Sequence, residues 1–157
     1  MKAIAWAMGV CMCAVFALTA CGRDNVAQVK AAIERANHEQ EDAFTAHNPD
    51  LMADTSTAQN FAVMVRSNED IAAAGVVNIK LDKLEWGEIN VLSPDAATAT
   101  TWETWDSTFS DGQTISDRER NDYKLVKIGQ SWKIDEIHHP DSEAQPGATP
   151  APTASAG

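Results

Sequence analysis

Proton-transfer chemistry in a water-poor site needs a carboxylate base beside a tyrosine, histidine or protonated acid, each with a pKa moved by burial. The supply here is thin. Tyr123 is the one tyrosine, and Glu136 alternates with Trp132 and Ile134 along one apolar face of residues 131–138. Two readings of Glu136 stand: a buried acid pointing into a pocket, or a strand-end carboxylate paired with a cation. Tyr123 reads as a packing residue with its hydroxyl near water. Adjacent His138 and His139 point to opposite faces of a strand. His38 and His47 lie about 900° apart around a helix, on opposite sides. Asp117, Glu119 and Asp122 lack the spacing and glycine of a calcium loop. No metal, no cofactor and no catalytic residue is expected.

The tryptophans carry more. Trp102 and Trp105 are three apart on one predicted strand and must face opposite sides, so one is exposed unless something covers the outer face. Either both are packing residues, or one belongs to a partner-binding surface. Across the following hairpin, Arg118 falls near Trp105 for a cation–π contact or, shifted by one residue, near Asp106 for an ion pair. The sequence leaves both registers open.

These side chains must be positioned by a small chain. Its 157 residues suit one domain with short appendages, and 12 Lys+Arg against 23 Asp+Glu give a net charge of -11. No basic stripe is available to neutralise phosphates, so nucleic acid is excluded as a partner. The acidic stretches around Glu39, Glu41 and Asp42, and from Asp106 to Asp122, read as solvated faces.

The N-terminus reads as a signal rather than as part of the fold. Lys2 precedes an uncharged apolar run over residues 3–17, shorter than the about 20 residues of a membrane span. Leu18-Thr19-Ala20-Cys21 follows and resembles the lipobox of bacterial lipoprotein signal peptides. That resemblance implies diacylglyceryl transfer to the Cys21 thiol, cleavage before it, and acylation of the new amino terminus with palmitate-type chains. Cys11 and Cys13 would leave with the signal, so no disulfide is expected. Gly22 rather than Asp after the cysteine favours the outer membrane, facing the periplasm, over inner-membrane retention. The expected organisation is a signal peptide over 1–20, a lipidated start and short linker over 21–24, one α+β domain over 25–139, and a disordered Pro/Ala-rich tail over 140–157.

Within the domain, Val26, Val29, Ile33, Ala36, Gln40, Ala43 and Phe44 recur at helical spacing, from a cap at Asp24 or Asn25 to a stop at Asn48-Pro49. Ser56 and Gln59 have capping-box spacing ahead of a second helix that ends at Gly75. Beyond Gly75 the period becomes two. One long strand or two span 77–91, with a bulge near Gly87. Further strands cover 97–109, 114–128 and 131–138, and Asp111-Gly112 reads as a two-residue hairpin turn. Helices first and an antiparallel meander second predict an α+β fold, with N-terminal helices packed on a curved antiparallel sheet.

The stretch Tyr123-Lys-Leu-Val-Lys-Ile-Gly-Gln-Ser-Trp132-Lys-Ile134-Asp-Glu-Ile137 resembles the last hairpin of nuclear-transport-factor-2-like (NTF2-like) cone folds. It is most similar to the intermembrane-space domain of plastid-division proteins. Gly75, the Ser93-Pro94-Asp95 turn, the strand over 98–105 and Asp111-Gly112 extend the likeness over 58–137. The resemblance implies a sheet wrapped around a helix to leave a conical pocket. Some members use that pocket as an isomerase or dehydratase site, and others are binding or dimerisation modules. The first-helix tyrosine and the base of the steroid-isomerase relatives have no match here. The expectation is a lipid-anchored, non-catalytic binding or dimerisation module, engaging a protein, a second copy or a small ligand. A pocket isomerase or dehydratase stands second and a purely structural envelope protein third. Cys21 is the candidate lipid site, and Trp102, Trp105, Tyr123, Trp132 and Glu136 are candidate pocket or interface residues.

Overall fold

A computed structural model describes residues 17–140 of the chain. Residues 1–16 of the expected signal peptide and residues 141–157 of the Pro/Ala-rich tail lie outside the described residues. Helix α1, Ala17–Ala46, is 30 residues long and buries Val29, Ile33, Ala43 and Phe44 of the predicted stripe, together with Asn37, which the spacing does not include. It starts earlier than expected. Asp24 and Asn25 sit inside it rather than capping it, and 21–24 is helix rather than linker. The Ala- and Leu-bearing residues before them propagate a helix readily, and a single Gly22 costs only about 1 kcal/mol against Ala. The helix ends where His47 turns to φ 52 and Asn48 caps a 3-10 turn, Pro49–Met52.

Helix α2, Ala58–Ala73, is capped by Thr57, whose hydroxyl accepts from Asn60 N at 3.3 Å. The expected Ser56 cap is displaced by one residue because the backbone there is already engaged. Thr55 O accepts from Ile134 N at 2.8 Å and Thr57 N donates to Ile134 O at 2.9 Å, tying the inter-helix segment to the sheet. Gly75, at φ +92, supplies the left-handed residue that ends α2.

Four antiparallel strands follow in sheet order: β1 Val76–Ser93, β2 Ala96–Phe109, β3 Thr114–Ile128 and β4 Ser131–His138. The sheet curves around α1 because β1 carries register shifts, one of them between Trp86 and Ile89 across Gly87. A Cβ at Gly87 would lie 2.8 Å from the Trp102 ring and 3.1 Å from Thr100 O, so only glycine lets the strands approach there. Odd-numbered residues of β2 and β3 face the helices. Their packing forms two core clusters. One joins Val29 and Ile33 to Ala97, Ala99, Tyr123, Leu125, Trp132 and Ile134; the other joins Phe44 to Val76 and Ile79, with Ile71, Trp105 and Phe109 against it.

Two details of register change the expected placement of side chains. Inside the hydrogen-bonded pair Phe109–Gln113 the β2–β3 loop has three residues, 110–112, rather than two. Phe109 N donates to Gln113 O at 2.8 Å, and Gly112 takes φ +86. Arg118 therefore pairs with Thr104, and neither Trp105 nor Asp106 is its strand neighbour. In β4 the register slips, since Lys124 faces Glu136 but Leu125 faces Ile134. The extra residue reverses the alternation, turning Ile137 inward and Glu136 outward.

Candidate functional site

Between the sheet and the helices lies a partly open cavity of about 340 Å³. Its floor is the inward face of β2 and β3. Glu103, Trp105, Asp117, Glu119, Asn121 and Tyr123 come from there, while α2 contributes Met64 and Ile71, and Ile79 and Ile137 close the sides.

Glu103 is the centre of the polar network. It is 1% exposed and receives three neutral donors. Thr101 Oγ1 and Tyr123 OH each donate to Oε1 at 2.8 Å, and Trp105 Nε1 donates to Oε2 at 3.1 Å. Thr101, Glu103 and Trp105 share one face through the period of two, so the strand itself assembles acceptor and donors. The Tyr123 hydroxyl also lies 3.3 Å from Asn37 Oδ1, linking the site to α1. Burial pushes the Tyr123 pKa well up, and the charge of Glu103 and the hydrogen bond to it push it further. The phenol therefore keeps its proton at physiological pH.

Glu119, the cross-strand partner of Glu103, is more exposed. Burial raises its pKa, His139 opposes that rise with Nδ1 3.8 Å from Oε2, and the Glu103 charge adds to it. The Asn121 side chain hydrogen-bonds the Glu119 carboxylate, which turns its amide nitrogen toward that group. Asn121 Oδ1 is then left without a partner in a residue only 2% exposed.

Two of the residues expected at a pocket or interface are here. Trp105 and Tyr123 line the cavity, and the tyrosine hydroxyl is bonded to Glu103 rather than near water. The others are not. Glu136 is exposed on the outer face, with Lys124 Nζ 2.6 Å from its carboxylate, because of the β4 register slip. Trp132 is a core residue beneath α1, and Lys127 Nζ lies 5.6 Å from its ring centroid. Trp102 lies on the outer face as parity requires, with the Arg118 and Arg120 guanidinium carbons 5.7 and 6.0 Å from its ring. Arg118 also pairs with Glu85 at 3.2 Å. Glu103 and Asn121 escaped the sequence reading, and Glu119 entered it only as a rejected calcium ligand. The usable signal was the inward series Ala97, Ala99, Thr101, Glu103, in which one acid interrupts a run of small residues.

No family model and no curated protein matches the chain in sequence. Its structure is similar to the intermembrane-space region of the chloroplast protein ARC6, with a TM-score of 0.61 at 15% identity, covering 71% of this chain and 92% of that one. It is also similar to an NTF2-like family protein from Streptomyces avermitilis, with a TM-score of 0.56 at 14% identity over 74% and 96% of the two chains. A hexachlorocyclohexane dehydrochlorinase from Novosphingobium barchaimii gives 0.54 at 11% identity over 75% and 88%. The fold is NTF2-like, as the last hairpin suggested.

Proposed function

We propose that this chain is a lipid-anchored envelope protein whose cavity holds a small ligand without transforming it. The observation that carries the reading is the state of Glu103. Three of its about four acceptor sites are filled by protein donors and the residue is 1% exposed, so at most one position, on Oε2, is left to accept a proton from a substrate. A carboxylate fixed in this way shapes a binding site and supplies a field. The cavity volume lies within the usual range of small-molecule sites, about 300–1,000 Å³. Attachment through the Cys21 thiol belongs to the same proposal and rests on the Leu18-Thr19-Ala20-Cys21 pattern. Two or more acyl chains make such an anchor stable.

A second reading is supported by Glu119 and His139. A carboxyl group with a raised pKa beside an imidazole can pass a proton, and the fold is shared with a dehydrochlorinase. On that reading the cavity is an isomerase or dehydratase site. Native mass spectrometry of the full-length protein purified from its own membranes separates the two. A non-covalent adduct of constant mass that survives incubation unchanged is the expected result. A bound molecule that is converted during incubation would establish the enzyme, and an empty protein with no adduct would remove the binding reading.

A further inference from the structure

We infer that the end of the sheet nearest the N-terminus of α1 seats on the lipid bilayer, with Leu92 and Ile128 entering the headgroup layer. This rests on the proposed lipid attachment at Cys21 and adds a second contact to it. Leu92 is 66% exposed and Ile128 54%, the two highest values among the large hydrophobic residues described. They lie at the same end of the molecule. Leu92 stands just before the β1–β2 turn and Ile128 just before the β3–β4 turn, and Lys127 N donates to Asp95 O at 2.8 Å, which holds the two turns side by side.

The direction of α1 decides which end this is. Its earlier residues Val29 and Ile33 pack with Ala97 and Leu125 near these turns, whereas Phe44 packs with Val76 and Ile79 at the opposite end of the sheet. Lys127 Nζ lies 3.3 Å from Gln28 Oε1, and Gln28 stands about 10 Å along the helix axis from position 21. Ile128 is one strand residue, about 3.3 Å, further toward the anchor. The headgroup layer of one leaflet is about 5–7 Å thick, so an acylated residue 21 brings both side chains to it.

The local charge agrees with this seat. Residues 126–133 hold Lys127 and Lys133 and no acid, and the Asp95 carboxylate in the neighbouring turn accepts from Ser93 Oγ at 2.6 Å. At the other end of the sheet Val77 and Ile115 are exposed too, but residues 106–117 hold Asp106, Asp111 and Asp117 and no lysine or arginine, which anionic headgroups repel. Two lysines fall short of the about four to eight of a polybasic attachment, so this surface orients the protein while the acyl chains hold it.

The test uses the acylated protein carrying Leu92→Cys, Ile128→Cys or, as a control, Val77→Cys. With Cys11 and Cys13 in the expected signal and the Cys21 thiol taken by lipid, each added cysteine is the free thiol that a nitrobenzoxadiazole fluorophore labels. The proteins are reconstituted into phosphatidylcholine–phosphatidylglycerol vesicles with and without a nitroxide on the headgroup. Labels at 92 and 128 are expected to emit at shorter wavelength than the label at 77 and to lose intensity to the nitroxide. The label at 77, up to about 50 Å away along β1, is expected to do neither. Quenching without the wavelength shift, no quenching, or an equal response at 77 overturns the seat. Protein that lacks the acyl mass overturns the attachment and this inference together, whereas acylated protein whose labels at 92 and 128 stay in water overturns this inference alone.

Discussion

Glu103 and Glu119 are direct partners across the β2–β3 register and face the same space, yet their surroundings differ. The first is surrounded by donors, and Tyr123 is the one that crosses from β3 to reach it. Tyr123→Phe should therefore lower the unfolding free energy by about 1–3 kcal/mol in urea denaturation, since a buried carboxylate loses a donor. Removing the exposed Lys124–Glu136 pair by Lys124→Ala should cost about 1 kcal/mol or less. Glu119 behaves oppositely. Its folded pKa lies above the ordinary 4.5, so its ionisation works against the fold, and the penalty grows as pH rises from 4.5 through the folded value. Glu103 and Asp117 add to that penalty and His139 reduces it. Glu119→Gln is expected to melt at a higher temperature than the parent at pH 7, with the difference closing below pH 4.5. A melting temperature unchanged at pH 7 would contradict the burial argument. Single-residue roles were the least legible part of the sequence, because donor and acceptor meet only after two strands are aligned.

Most of the elements themselves could be read in advance. The change of period after Gly75, the Asn48-Pro49 stop and the Ser93-Pro94-Asp95 turn are local signals, and local signals survive folding. Register is different, because one inserted residue moves every later side chain to the other face. The three-residue β2–β3 loop and the β4 slip are both of this kind, and together they displaced Arg118 and Glu136 from their expected neighbours. Gly87 is the bulge that could be foreseen, and its reason is now steric. Gly87→Ala should destabilise the protein by about 1–3 kcal/mol, because the contacted Thr100 carbonyl is backbone and cannot swing away. Fluorescence of the variant should change with it, as the Trp102 ring is the nearest group displaced. A neutral effect on unfolding would show that β1 shifts to accommodate the methyl group.

At the scale of the whole molecule, one helix spans both core clusters, with Val29 and Ile33 in the first and Phe44 in the second. The cavity is bounded by members of each, including Tyr123 and Ile79. No helix among the described residues is long and apolar enough to cross a membrane. Retention at a bilayer by the proposed anchor is therefore testable through position 21. Cys21→Ser should lose the acyl-modified mass and move from the membrane pellet to the supernatant on fractionation. Retention of the variant in the pellet would point to a different attachment. The overall acidity, 23 Asp+Glu against 12 Lys+Arg, repels anionic head groups and gives no electrostatic alternative to the proposed anchor.

Helix α1 runs without a break from Ala17 past Gln40, which borders the cavity. At a rise of 1.5 Å per residue, position 21 stands about 28 Å along the axis from Gln40. On the proposed attachment at Cys21, that rod would be a strut rather than a leash, carrying the cavity on a continuous helix instead of on a slack linker.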